Sequence, residues 1–237
     1  MQIVILAGGL GTRLSAVAPG LPKALASVAG KPFIERQFDL LKPYGLRDVL
    51  ICIGHKGEMI EKYVGDGTRF GMRVRYSREN PRALLGTGGA IANAIGLLED
   101  RFMVLYGDSY LPTDYGAVSR AFESAKTGAM MCVFRNEGKW DRSNVRIAGG
   151  RVVFYSKAAM AGEADYIDYG LTAFRRDIVL AYCSSPKPLD MAVILAELTA
   201  KRELGAFEVK ERFYEIGKPE GLAELDALLA STPAAGR

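Results

Sequence analysis

Three features of the chain are spaced for work on phosphates. The first is the run Leu6-Ala7-Gly8-Gly9-Leu10-Gly11-Thr12-Arg13, which directly follows an apolar segment. Glycines let a backbone approach a ligand closely and expose amide N–H groups to anionic oxygens. Arg13 adds a planar, permanently charged donor. The dinucleotide pattern G-x-G-x-x-G fails here, because Leu14 stands where glycine is required, and no G-x-x-x-x-G-K-[ST] loop occurs. The plain alternative is a glycine turn closing a buried strand. The second feature is Lys23 in Leu21-Pro22-Lys23-Ala24-Leu25. The preceding proline presets the backbone, so the ammonium can be aimed at a phosphate; in isolation the residue reads equally as a solvated lysine. The third is Asp108, just after the apolar run Phe102–Tyr106. Ligands of open α/β sheets collect at the carboxyl ends of strands. A carboxylate there suits Mg²⁺, which takes hard oxygen ligands, commonly one or two carboxylates plus substrate phosphates.

Other chemistries are limited by what the 237 residues lack. His55 is the single histidine, so a multi-histidine metal site is excluded. It lies between a strand and a helix and reads as a helix-start loop residue. Cys52, Cys132 and Cys183 are odd in number and far apart, which rules out a disulfide framework or zinc ribbon and fits a reducing compartment. The net charge of +4 has no basic stripe behind it, favouring small anionic substrates over nucleic acid. No apolar run approaches the roughly 20 residues of a membrane span. The opening Met1-Gln2-Ile3-Val4 has no basic segment ahead of it, so no signal peptide and a cytoplasmic location are expected.

The elements that must position these groups alternate in the first half. Apolar runs at Gln2–Leu6, Asp48–Ile53, Phe102–Tyr106 and Met130–Phe134, with a shorter Arg73–Tyr76, predict strands. Helical spacing predicts helices over Phe33–Leu41, Lys56–Val64, Gly88–Leu98 and Tyr115–Ser124. Continuous apolar strands separated by helices imply a parallel sheet covered on both faces. In the second half, Asn144–Ala148 and Arg151–Ser156 flank Gly149-Gly150 and predict a hairpin. Asp165–Phe174 reads as extended, Pro188–Thr199 as helical, Phe213–Ile216 as a short strand and Pro219–Ala230 as a closing helix, with a frayed tail over 231–237. The expected fold is α/β: a Rossmann-like, mostly parallel central sheet with helices on both faces and a small β insertion. One domain covers 1–230, with a nucleotide-side half over about 1–135 and a second half over about 136–218.

The ordered set GGLGTRL…LPKAL…VAGKPFIE resembles the sugar-1-phosphate nucleotidyltransferases. Leu85-Gly86-Thr87-Gly88-Gly89-Ala90, Tyr106-Gly107-Asp108-Ser109, Asn144-Val145, Tyr155-Ser156-Lys157, Tyr169-Gly170-Leu171 and Tyr214-Glu215-Ile216-Gly217 follow in the same order. Within that family the segments look most like bacterial D-glycero-D-manno-heptose 1-phosphate guanylyltransferases. The resemblance spans roughly residues 1–230. It implies a GT-A-like fold and the reaction NTP + sugar 1-phosphate → NDP-sugar + pyrophosphate, with Mg²⁺ as cofactor. It leans towards GTP with a heptose or mannose-type 1-phosphate, the alternative being uridylyl or thymidylyl transfer to another sugar 1-phosphate. Monomer and homo-oligomer both remain open.

By the same resemblance, Leu6, Ala7, Gly8 and Gly9 lie against the nucleoside, and Gly11, Thr12 and Arg13 hold the outer phosphates. Lys23 serves the α-phosphate, and Gly86, Gly88 and Gly89 face the base; a helix start needing flexible backbone is the other reading of those last glycines. Asp108 and Glu215 are the implied metal ligands. Lys157 takes the sugar phosphate, and Asn144, Asp168 and Gly170 lie on the sugar side, although Asp168 reads equally as a turn carboxylate. Trp140, in a polar loop, suits either a sugar pocket or an exposed surface. Two departures stand out. Glu215 occupies a place the family gives to aspartate, and Ser156 one it gives to glutamate, which puts the transfer of sugar specificity in doubt. A glycosyltransferase would carry Asp-x-Asp where this chain has Asp108-Ser109-Tyr110. A non-catalytic sugar-nucleotide sensor would not need Arg13, Lys23, Asp108 and Lys157 together.

Overall fold

Alternation within each strand decides the layering. In Ile3-Val4-Ile5, Ile3 and Ile5 face one apolar cluster and Val4 the other. Val49, Ile51 and Ile53 likewise oppose Leu50 and Cys52, and Met103 and Leu105 oppose Phe102 and Val104. Side chains alternate along a strand, so a run apolar at every position must be covered on both faces. Fully burying one such aliphatic side chain contributes about 1.5–3 kcal/mol.

The computed structural model describes residues 1–11, 14, 18–182 and 187–231. Thr12, Arg13, Cys183 and positions 232–237 of the expected tail lie outside the described residues. The elements in chain order are β1 (Gln2–Ala7), β2 (Ser27–Val28), β3 (Lys31–Pro32), α1 (Phe33–Leu41), β4 (Asp48–Ile53), α2 (Gly57–Val64), β5 (Arg73–Arg78) and α3 (Gly86–Asn93). Then come β6 (Arg101–Tyr106), β7 (Ser109–Tyr110), α4 (Tyr115–Ser124), β8 (Ala129–Arg135), β9 (Val145–Ala148), β10 (Arg151–Tyr155) and β11 (Tyr166–Arg175). The chain continues with α5 (Arg176–Tyr182), α6 (Met191–Ala200), β12 (Leu204–Val209), β13 (Tyr214–Glu215) and α7 (Pro219–Ser231). No helix among the described residues is long and apolar enough to cross a membrane.

A nine-stranded sheet runs through both halves in the order β5-β4-β1-β6-β11-β8-β12-β10-β9. Helices α1, α2 and α4 cover one face through Ile34, Phe38, Ile60, Val64, Val118 and Phe122. Helices α3, α5 and α6 cover the other through Ile91, Val179, Ile194, Leu195 and Leu198. A third cluster packs Leu225 of α7 and Ile216 against Val28 and Phe33.

The expectation of a Rossmann-like, mostly parallel sheet is corrected. The sheet is mixed. β5, β4, β1 and β6 pair in parallel, but β11 is antiparallel to both β6 and β8, and β10 is antiparallel to β12 and β9. An unbroken apolar run reports burial on two faces, not strand direction. β11 is buried along most of its length and so reads like a parallel strand. β12, slotted between β8 and β10, carries Gly205 and Glu208 and gives no strand signal in the sequence.

Candidate active site

Because β4, β1 and β6 run in parallel register, Ile53, Ala7 and Tyr106 end at one edge of the sheet. The loops leaving those ends enclose a cleft of about 210 Å³. Its walls include Leu6, Ala7, Gly8, Gly9, Lys23, Glu79, Gly86, Thr87, Tyr106 and Asp108. Two glycines keep the walls this close. A Cβ on Gly107 would lie 2.6 Å from the Leu6 carbonyl oxygen, and one on Gly8 would lie 2.6 Å from Glu79 Oε1. Gly11, at φ +65°, sits beside the Lys23 stem.

Lys23 enters from extended Pro22 (φ −70°, ψ 149°) on a single 3₁₀ turn. Its ammonium lies 2.7 Å from Asp108 Oδ2, in a half-buried pair. The turn that carries Asp108 is anchored from below. The amide nitrogen of buried Gln37 on α1 donates to the carbonyls of Tyr106 and Ser109, both at 3.0 Å. The Ile216 N–H donates to the Asp108 carbonyl at 2.9 Å, and Glu215 pairs with Ser109 across β13 and β7. Asp108 therefore stands between this cleft and a second one of about 160 Å³ lined by Glu215, Gly217, Lys218, Arg212 and Asp141. At Gly217 a Cβ would come within 3.4 Å of Asp108 Oδ2 and 3.6 Å of Lys23 Nζ, so glycine there leaves the carboxylate open.

Among the described residues no cluster of three or more His, Cys, Asp or Glu gathers. Asp108 and the exposed Glu215 line one cleft, with a lysine ammonium already against Asp108. That donor set fits Mg²⁺, which needs few protein carboxylates when substrate phosphates complete its shell.

The second half brings its groups from four elements. Asn144 precedes β9, and its side-chain oxygen accepts the Asp168 N–H at 2.8 Å. Asp168 lies on a bulge of β11, where the register with β8 shifts between Asp168 and Thr172. Gly170, at φ +84°, makes that bulge possible and turns its N–H onto Asp168 Oδ1 at 3.0 Å. Burial pushes the Asp168 carboxyl up, and bonds from Gly170 and Tyr155 together with the Lys157 charge offset part of this. Lys157, after β10, pairs with Asp190 at the start of α6 at 2.6 Å. Tyr106 lies between the two halves, its phenol raised well above its ordinary value by burial, then by Asp168, Tyr155, Asp190 and Asp108.

Gly88 and Gly89 take the helix-start role that the sequence offered beside base contact. Both N–H groups donate to the Leu189 carbonyl, and a Cβ on Gly89 would lie 2.4 Å from the Lys187 carbonyl oxygen. They let the start of α3 meet the segment before α6; Gly86 and Thr87 line the cleft instead. Trp140 is exposed, with the Arg212 guanidinium 3.6 Å from its ring centroid, and lines a separate hollow with Asn136, Ser143 and Asp165. His55 bonds through its backbone to Gly8. Three residues of the site were not singled out from sequence: Glu79, Gln37 and Asp190. Glu79 follows β5 and accepts the Leu85 N–H at 2.6 Å, and burial raises its carboxyl above the ordinary range despite that bond. Its place directly after a strand was the available signal.

The family model described as "Nucleotidyl transferase" matches residues 2–143, more than half the chain and all of the nucleotide-side cleft. The chain belongs to the nucleotidyl transferase family. This nucleotidyltransferase is 28% identical over 221 residues to the D-glycero-alpha-D-manno-heptose 1-phosphate guanylyltransferase of Campylobacter jejuni, covering 93% of this chain and 96% of the relative. It is 38% identical over 128 residues to the N-acetylmuramate alpha-1-phosphate uridylyltransferase of Neisseria meningitidis, 54% of each chain. Among solved structures it is similar to HddC from Yersinia pseudotuberculosis complexed with GMP-PN, with a TM-score of 0.76 and 25% identity, covering 96% of this chain and 99% of that one. The chain is thus an enzyme of the sugar-1-phosphate nucleotidyltransferase class.

Proposed function

We propose that the enzyme transfers guanylyl from GTP to a heptose or mannose-type 1-phosphate, using Mg²⁺, in the cytoplasm. One observation carries this reading: a single cleft runs from the Glu79 carboxylate past Gly8 to the Lys23–Asp108 pair. Guanine presents two adjacent N–H donors on its Watson–Crick edge, which a carboxylate accepts together. Uracil and thymine present one N–H between two carbonyl oxygens, which a carboxylate repels. The likeness to a guanylyltransferase over nearly the whole chain supports the same base, as does a neighbour that holds GMP-PN.

The chemistry follows from the positions. A sugar-phosphate oxygen attacks the α-phosphorus in line, the bond to the bridging oxygen breaks, and pyrophosphate leaves. No covalent enzyme intermediate is needed, so a chain with one histidine suffices. Charge neutralisation and alignment of two polyanions supply most of the acceleration. Lys23 transfers its hydrogen bond from Asp108 to the α-phosphate oxygens, where charge is redistributed in the transition state. Asp108 and Glu215 would hold Mg²⁺, which would supply further positive charge to the reacting phosphates. Gly8, Gly9 and Gly11 present backbone to the nucleotide. Thr12 and Arg13 complete the phosphate loop, and Lys157 receives the sugar phosphate. Asn144, Asp168 and Gly170 shape the sugar side.

The uridylyltransferase likeness favours a second reading, UTP with another sugar 1-phosphate. A matrix of GTP, UTP, dTTP, CTP and ATP against sugar 1-phosphates, read by pyrophosphate release with and without Mg²⁺, decides between them. GTP with a manno-configured 1-phosphate is expected to lead. Efficient UTP use with GTP inert would reverse the base, and binding without release in every cell would leave a sensor.

A further inference from the structure

The ion pair of Lys157 has a partner the hairpin does not supply. Its sequence neighbour Ser156 donates no charge, and its hydroxyl oxygen accepts the Ala158 N–H at 3.2 Å. The carboxylate comes instead from Asp190, 33 residues further on, with Oδ2 2.6 Å from Lys157 Nζ. The other oxygen, Oδ1, accepts from Thr87 Oγ1 at 3.1 Å and from the Ala192 N–H at 2.9 Å, capping α6. Thr87 Oγ1 in turn accepts the Met191 N–H at 2.8 Å. Thr87 also belongs to the wall of the nucleotide-side cleft. Around these side chains the backbone is locked: Gly88 and Gly89 donate to the Leu189 carbonyl, and Leu189 donates to the Leu85 carbonyl at 2.8 Å.

A free lysine samples many rotamers, and fixing it costs entropy that weakens whatever it binds. Here the ammonium is fixed beforehand. Its three N–H donors allow one to stay on Asp190 while the others remain for an incoming phosphate. Burial would push the Asp190 carboxyl up, but the bonds from Lys157 and Ala192 outweigh it and hold the group below its ordinary value. The carboxylate is therefore charged throughout the neutral range.

We infer that Asp190 is a positioning residue that holds the Lys157 ammonium for the sugar phosphate, with Thr87 fastening that hold to the wall of the nucleotide cleft. The inference rests on the reaction proposed above and adds a residue to its sugar side. Asp190 acts only through Lys157, so the two are coupled rather than independent.

The test is a double-mutant cycle read by steady-state pyrophosphate release, with GTP and D-mannose 1-phosphate each varied. Asp190→Asn keeps a good α6 cap and removes the charge, so thermal stability should stay near that of the parent. It should raise KM for the sugar phosphate about tenfold and leave KM for GTP within about twofold. Asp190→Glu should restore part of the loss, and Thr87→Val should give a smaller rise of about threefold. In the Lys157→Ala background, adding Asp190→Asn should change nothing further. Multiplying effects in the double variant, or an unchanged or lowered KM in Asp190→Asn, would overturn the inference while leaving the reaction standing. A parent enzyme that releases no pyrophosphate with any NTP and sugar 1-phosphate would overturn the reaction and the inference together.

Discussion

The two halves of the sheet build their sites in opposite ways. In the first half, parallel strands end together, so the residue after each strand already lines the cleft: Gly8 after β1, Glu79 after β5, Gly107 and Asp108 after β6. In the second half, antiparallel and bulged strands scatter the groups, and Asn144, Lys157, Asp168 and Asp190 come from four elements. The first arrangement lets one rule, look just past the strand, find the chemistry. The second depends on contacts between residues far apart in sequence.

The comparison breaks hardest at the shared carboxylate. Asp108→Asn should lower kcat by about 10²–10³-fold while the fold melts near the parent temperature, since the change is isosteric and half-exposed. Rapid-quench turnover alongside a thermal melt would check both halves of that statement. Lys23→Ala comes next. On the proposed mechanism its contact with the α-phosphate strengthens in the transition state, so kcat should fall about 10²-fold with little change in KM for the sugar phosphate. A loss confined to KM would move Lys23 out of the reacting centre.

Glu79 sharpens the base side. Glu79→Gln should reduce selectivity for GTP over UTP by about 10–100-fold, measured as the ratio of kcat/KM values. The same change has a pH signature. The Glu79 carboxyl is raised above its ordinary 4.5 by burial, so the folded state binds its proton more tightly than the unfolded chain does. The parent then loses stability as pH rises through and above that value. The Gln variant should melt above the parent at pH 7.5, and the gap should close as the pH approaches 4.5. A variant that melts lower at every pH would show that the carboxylate stabilises the fold. The smallest catalytic effect is expected from Gln37→Leu, which leaves the Tyr106 and Ser109 carbonyls without their buried donor. It should cost about 1–3 kcal/mol in a denaturant titration and lower kcat only modestly.

Much of the first half was legible because its signals are local. Phe33–Leu41, Asp48–Ile53 and Tyr115–Ser124 carry clean apolar periodicity, and the helices and strand there match those bounds. The Gly149-Gly150 hairpin was equally local. Strand direction was not legible, because β11 between β6 and β8 is as apolar as a parallel strand. β12 escaped notice because its glycine and glutamate interrupt the pattern, and its place between β8 and β10 is a tertiary fact. In the site, Asp108 beside Lys23 was within reach of motif reading. Asp190 was not: as a helix N-cap it had a sufficient local reason to be an aspartate, and only the fold brings Lys157 to it. Gly88 and Gly89 were legible as a helix start, but the carbonyls of Lys187 and Leu189 that they pack against are brought to them only by the fold.

The division of labour between the halves is tested most directly by Lys157→Ala, with GTP and the sugar 1-phosphate varied separately under steady-state conditions. The account predicts that KM for the sugar phosphate rises by about 10–100-fold while KM for GTP stays within about twofold. A variant that binds GTP poorly yet keeps its sugar-phosphate KM would contradict the assignment of the second half to the sugar.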